Sequence, residues 1–470
     1  MTHHGRTTRN AVAAVAVTLM LTAFSLAQYS ETVLHTFTGG SDGAVGGPFF
    51  VSDSAGNLYG ATYAGGNKST GCQVYTGNIG CGVVFELIKH ADGTWKEKVL
   101  YTFSGGKDGG VPSSVILDSA GNLFGTAMVG GDDKPKICQA RSNYPAGCGV
   151  VFKLTRTAHG PWKQTVLHTF TGGSDGAGPW SSLILDSSGN LYGTGSYGGN
   201  KPPACKPYGC GVVFKLTPRA HGPWKEAVLY AFPEVSAGIA PYASVTFDSV
   251  GNLYGTTVVG GDKSVKCDGI PGCGVVFQLA PTKEGPWTET VLHAFMGGAD
   301  GGWPLANVIL DSAGNVYGTT WGGGDTNDCP PDGLLPGCGV VFELAQGTWK
   351  ESELYTFTGK SDGAFAANPV IFDSSGNLYG TTRTGGDFGG TCTNRYGCGV
   401  AFELTPAGPP WNESVLYAFP GGADGEVPQG NIVFDSAGNI FDTTYGGGDG
   451  SECLGGGGYD GCGVVFELTP

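Results

Sequence analysis

Two short strings recur seven times each, always in the same order, along a chain of 470 residues. That repetition constrains the fold more than any other feature. The first string, Asp-Ser-x-Gly-Asn, begins at Asp53, Asp118, Asp186, Asp248, Asp311, Asp373 and Asp435. The second, Gly-Cys-Gly-Val-(Val/Ala)-Phe, carries its cysteine at Cys81, Cys148, Cys210, Cys273, Cys338, Cys398 and Cys462. Successive copies lie 60 to 68 residues apart. Length alone would suggest about three domains, but a chain of repeats builds one array instead.

Each repeat reads as four short strands. In the second copy, Ser114 to Leu117 is a first strand, and Asp118 to Asn122 is a tight turn in which Asp caps and Gly supplies a positive φ. Leu123 to Ala127 is a second strand, followed by a long Gly- and Cys-containing loop. In the third strand, Gly149 to Leu154, Val150, Phe152 and Leu154 alternate with Val151 and Lys153. A turn then leads to Trp162 and a fourth strand ending at Phe170. Four antiparallel strands repeated seven times predict an all-β, seven-bladed β-propeller; a solenoid is the alternative, with end caps. The ends discriminate. The segment Tyr29 to Phe37 reads as a fourth strand and the chain stops after a third, at Cys462 to Pro470. The N-terminal strand 29–37 is therefore expected to complete the last blade, 426–470, and close the ring. Tyr29 stands where Trp95, Trp162, Trp224, Trp287, Trp349 and Trp411 stand in the other copies.

Between the second and third strands, each repeat holds two of the 14 cysteines: Cys72/Cys81, Cys138/Cys148, Cys205/Cys210, Cys267/Cys273, Cys329/Cys338, Cys392/Cys398 and Cys453/Cys462. One pair per module predicts seven local disulfides. A zinc site is the competing reading, but the spacings vary and none is Cys-x-x-Cys. Arg6 and Arg9, an apolar run from Ala11 to Leu26 and Ser25-Leu26-Ala27 read as a signal peptide over 1–27, leaving a single propeller over 28–470. The expected location is secreted, extracellular or at the cell surface. No membrane span is expected after cleavage, because the apolar run is short and no second one appears.

The formal net charge is −15 and no basic run occurs, which argues against nucleic acid and anionic membranes as partners. Gly is 86 of 470 residues, a composition that would suggest disorder were aromatics not 11% of the chain.

The Gly-Asn-(Leu/Val/Ile)-(Tyr/Phe)-Gly-Thr-Thr-like strand, the Gly-Gly that follows it, and Gly-Cys-Gly-Val-Val-Phe-Glu-Leu resemble the GloVer (Gloeo–Verruco) tandem repeats of bacterial surface and secreted proteins. The resemblance covers Tyr29 to Pro470 and implies architecture and location, with no established activity. Members often carry a C-terminal surface anchor, which this chain does not show.

Symmetry sorts the candidate residues. A catalytic group is needed once, so the repeated aspartates and tryptophans read as structural, as do His35, His168 and His293, which share a strand position with tyrosines. The linker acids Asp42, Asp108, Asp175, Asp300, Asp362 and Asp424 read as caps. Ca²⁺ is the one cation they suggest, yet each loop offers a single carboxylate. No other metal or cofactor is expected. The loops between second and third strands share one end of the ring with the blade-to-blade linkers, and this end is the expected binding face. Three residues past each Gly-Thr-Thr glycine or its equivalent, the residue varies: Tyr63, Met128, Ser196, Val258, Trp321, Arg383, Tyr445. With Trp180 and Trp303 from the linkers, Tyr63, Trp321, Arg383 and Tyr445 form a candidate ligand site for sugars or peptide side chains. Inter-blade packing is the plainer reading. Asp442 replaces the glycine of the other six copies and is an expected partner of Arg383.

The expectation is a monomeric, non-catalytic module binding a polysaccharide or an extracellular protein. A carbohydrate-active enzyme is the alternative, requiring two converging acids among Asp442, Glu426, Glu234 and Asp328. A structural envelope or matrix protein is the third reading.

Overall fold

The computed structural model describes residues 29–470 apart from residues 48, 158–159, 268 and 284 and parts of the loops at 67–79, 132–146, 325–335, 387–395 and 449–460. The expected signal peptide and Asp328 lie outside the described residues. The rest is a seven-bladed propeller of antiparallel sheets.

Blade 2 shows the plan, running from inside to outside through Gly110–Leu117, Leu123–Val129, Val150–Thr155 and Lys163–Thr169. Its inner strand is longer than the sequence pattern suggests. In blades 3 to 6 the inner strand is a two-residue piece, such as Ile184–Leu185. The seventh blade closes as expected: Ser30–Thr36 pairs with Val464–Thr469, from Ser30 opposite Thr469 to Thr36 opposite Val464. Tyr29 also fills the tryptophan's place. Its N–H donates to the Leu416 carbonyl, as those of Trp224, Trp287 and Trp411 donate to Leu167, Leu229 and Leu354.

The turn strings are local devices. Asp53 Oδ1 accepts from the N–H groups of Ala55 and Asn57, both at 2.9 Å, and Oδ2 from Asn57 Nδ2. The same set recurs through Asp435 in the last blade. Four hydrogen bonds, counting the Gly56 N–H to the Asp53 carbonyl, fix a turn whose glycine sits at φ 82°.

Three motifs join neighbouring blades. The first is apolar: the phenylalanine ending one outer strand meets edge-on the third-strand phenylalanine of the following blade. The pairs run from Phe37–Phe85 at 5.3 Å to Phe419–Phe466 at 5.0 Å between centroids. A Cβ on Gly60, Gly255 or Gly380 would lie within 2.8 Å of the phenylalanine ring, so the conserved glycine of the second strand makes room for it. The second is polar and runs near the axis. Thr126, Thr194, Thr256 and Thr319 donate to the carbonyls of Ser181, Ala243, Ala306 and Asn368, just before the inner strand of the next blade, and Thr443 donates to Gly47 across the closure.

The third joins linker to cysteine. Val45, Val111, Ala240, Trp303, Phe365 and Val427 all have φ between 57° and 60°, and Gly178 fills the same position in blade 3. Each N–H donates to the carbonyl of the second cysteine of the preceding blade, as Val45 to Cys462 at 2.7 Å and Phe365 to Cys338 at 2.7 Å. Left-handed backbone costs a non-glycine residue about 1–2 kcal/mol. Recurrence in six blades shows that the junction over-determines it. All seven expected disulfides form, with Cα separations of 5.1 to 5.5 Å. They therefore brace the loops whose carbonyls receive the linkers. Among the described residues no helix is long and apolar enough to cross a membrane.

Candidate functional site

The two ends of the ring are distinct. Gly66 donates to the Gly40 carbonyl and Gly82 to Gly65, so linker, second-strand exit and third-strand start share one end. Asn57 Oδ1 accepts from the N–H of Lys89, which places the Asp-Ser-x-Gly-Asn turns beside the outer-strand turns at the other.

At the mouth of the axis on the first end lies a pocket of about 280 Å³. Its walls include Tyr63, Met128, Trp180, Arg383, Gln429 and Tyr445, which come from blades 1, 2, 3, 6 and 7. The left-handed linker residues Val45 and Val111 add apolar floor. These two positions, like Gln429, escape sequence reading: valine is a strand former, and nothing in the string betrays a positive φ.

Arg383 is the organising charge. Its guanidinium carbon lies 5.3 Å from the Trp321 ring centroid and 5.8 Å from that of Tyr445. Trp321 is itself stacked on Phe365, with centroids 5.1 Å apart and planes inclined by 18°. Two aromatic faces hold the guanidinium, each such contact contributing about 0.5–2 kcal/mol. Its Nη1 donates to Gln429 Oε1 over a long 3.4 Å, and Gln429 is anchored through Nε2 to the Gly46 carbonyl at 2.8 Å. Arg383 Nε is buried with no hydrogen-bond partner. Among the described residues no carboxylate forms an ion pair with Arg383. Burial and the neighbouring Tyr445 push the Tyr63 phenol well above its ordinary pKa, so it stays a hydrogen-bond donor. Trp180 is packed on Tyr242, with centroids at 5.7 Å.

The structure thus gathers Tyr63, Trp180, Arg383 and Tyr445 in one pocket, with Trp321 behind Arg383. Trp303 does not line it. Its ring packs among the core residues of neighbouring blades, and its indole N–H is buried without a partner. The expected Asp442–Arg383 contact is not formed, for a steric reason. Asp442 is fully buried, and its Oδ1 occupies the space beside Gly430 where other blades carry Ser113, Ser181 or Asn368. There it accepts from the Thr443 N–H at 2.6 Å. Burial raises its pKa to about 8.

The other acids are dispersed. Glu234 is exposed and pairs with Lys263 at 2.9 Å. Glu426 is buried beside Cys398, its Oε2 3.9 Å from the sulfur. Neither lines the pocket, and the described lining carries no carboxylate. The linker acids cap their own loops: Asp42 accepts from the Thr38 N–H at 2.9 Å, and Asp362 from Thr358 and Tyr355. Among the described residues no three His, Cys, Asp or Glu side chains are grouped as a metal site would require. Further along the axis a second cavity of about 210 Å³ is lined by Phe49, Ser182, Ser244, Asn307 and Asn431.

The profile of the Gloeobacter/Verrucomicrobia repeat matches residues 20–202, 70–329 and 267–470, three overlapping stretches that span the propeller. No curated protein sequence matches the chain. Solved structures match the chain at low identity and low TM-score. A luciferin-regenerating enzyme is 12% identical, with 76% of this chain and 90% of that one covered and a TM-score of 0.40. A protein of unknown function from Dyadobacter fermentans is 10% identical over 82% and 96%, with a TM-score of 0.42. A gluconolactonase from Xanthomonas campestris is 12% identical over 94% and 89%, with a TM-score of 0.38.

Proposed function

This chain belongs to the Gloeobacter/Verrucomicrobia repeat family, and on that footing we propose that it is a secreted, monomeric, non-catalytic binding module. Its ligand is a polysaccharide or an extracellular protein, held at the axial pocket on the disulfide-loop face. The observation that carries this reading is the pocket itself, where aromatic walls from several blades converge around one positioned cation. Aromatic faces with a few convergent polar groups suit sugar rings better than flat protein surfaces. Seven disulfides support an oxidising, extracellular setting.

A glycosidase or lyase would need two carboxylates converging on the ligand. Glu234, Glu426 and Asp442 are placed elsewhere, so binding without catalysis is the better reading. The proposal invokes no metal or cofactor.

A glycan array probed with the oxidised mature protein, residues 28–470, tests it. Selective binding is expected, and a Trp321→Ala/Tyr445→Ala variant should lose it. A variant that folds and binds unchanged would remove the ligand from this pocket.

A further inference from the structure

We infer that the axial pocket takes an acidic saccharide, with Arg383 recognising the carboxylate of a uronic-acid unit. This rests on the reading of the pocket as a saccharide site and specifies the ligand's charge.

Arg383 lacks an ionic partner among the described residues. The chain holds 40 acidic residues against 25 lysines and arginines, so a half-buried cation has no shortage of potential partners. Lys263 pairs with Glu234, and Arg156 approaches Glu86 at 3.4 Å. Arg383 instead sits among uncharged lining residues. Asp442, the acid on the second strand of the adjoining blade, turns into the Gly430 space. A guanidinium offers five N–H donors. Here the neighbouring blade supplies one long contact from Gln429, while Nε is buried and unbonded. Leaving buried charged donors unpaired is costly unless a ligand completes them.

The geometry also favours an oxyanion over a neutral ligand. The Trp321 and Tyr445 rings both lie within 6 Å of the guanidinium carbon and hold the group in the pocket, where its N–H donors are the means of recognition. A fixed fork of parallel N–H groups matches a planar carboxylate bidentately. In the same pocket the Tyr63 hydroxyl is kept protonated and so remains a hydrogen-bond donor. Trp180 supplies a further aromatic wall. A carboxylate on one edge, hydroxyls beside it and an apolar ring face describe a uronate. The pocket's volume of about 280 Å³ lies just below the usual small-ligand range of ~300–1,000 Å³. It suits one sugar unit or a chain end.

Isothermal titration of the full mature protein with three probes tests the inference: an oligogalacturonate, the neutral oligogalactose of equal length, and a sulfated oligogalactose. Wild type should bind the oligogalacturonate at least about tenfold more tightly than the neutral sugar, the equivalent of one charge-assisted hydrogen bond. Arg383→Gln should bring the acidic probe down to the affinity of the neutral one, and Arg383→Lys should restore part of the difference. Equal affinity of wild type for acidic and neutral probes, or a preference surviving in Arg383→Gln, overturns the inference while leaving a saccharide site standing. Preference for the sulfated probe over the oligogalacturonate overturns the uronate assignment. Failure to bind any probe overturns both the charge and the saccharide reading.

Discussion

The buried carboxyl of Asp442 shows how far one substitution in a repeat can be read. The sequence marks it as an oddity, because six sibling strands carry glycine there. Its meaning is legible only in three dimensions, where Gly430 has surrendered the volume that Asp442 fills. With a folded-state pKa of about 8 against an ordinary 3.8, the native state holds a proton that the unfolded chain releases. Its stabilising contribution is therefore complete below about pH 4 and is lost as pH rises through about 8. Asp442→Asn keeps the shape without the charge. The variant should match wild type in urea denaturation at pH 4 and exceed it at pH 9, by something on the order of a few kcal/mol. Equal midpoints at pH 9 would mean that the carboxyl is not held in the protonated form. The left-handed row from Val45 to Val427 was invisible beforehand for the opposite reason. It obeys the repeat perfectly, but its residues are ordinary strand formers.

At the scale of elements, the outer strand carries a second polar device. Two residues after the tryptophan, or after Tyr29, stands Glu31, Glu97, Glu226, Glu289, Glu351 or Glu413, and in blade 2 Gln164. Each of the six glutamates has a buried Oε1 without a partner. Desolvation pushes Glu31, Glu97, Glu289, Glu351 and Glu413 up to about 7, and Glu226 upward. They face the preceding blade: Glu97 meets His35 and Asp42, Glu226 meets His168 and Asp175, Glu351 meets His293, Asp300 and its own strand's Glu353, Glu413 meets Asp362, Glu31 meets Asp424, and Glu289 accepts from Tyr230 at 2.7 Å. Gln164 shows what a protonated glutamate can do, since its Nε2 donates to the Asp108 carbonyl at 3.0 Å. Raised carboxyl pKa values give stability that is present below about pH 4.5 and lost by about pH 7. The capping aspartates Asp42, Asp53, Asp175 and Asp186 act in reverse: hydrogen bonds hold their pKa values low, and their contribution is lost as pH falls below about 3.8. The melting temperature should therefore peak in mild acid, near pH 4–5, and fall toward pH 7.5. Glu97→Gln/Glu413→Gln should flatten that fall, and an unchanged slope would remove these glutamates from the account.

For the whole molecule, the sequence was most informative where symmetry spoke. Blade number, strand order, disulfide pairing and closure by the N-terminal strand were all legible, because each feature recurs or completes a recurring unit. The site was legible only in part. Variation at a fixed place in the repeat pointed to Tyr63, Arg383 and Tyr445, but Trp303 shared the composition without sharing the pocket. Side-chain direction at a strand's exit depends on the linker backbone, and that backbone was the unread element. The proposed function puts the ligand at the axial mouth on the disulfide-loop face. Amide hydrogen exchange, followed with and without the polysaccharide selected on the array, tests it most directly. The account predicts slowed exchange confined to the segments at 61–66, 178–183, 319–323, 381–386 and 443–448. Protection at the opposite turns, such as 53–57 and 118–122, with none at the axial mouth, would contradict it.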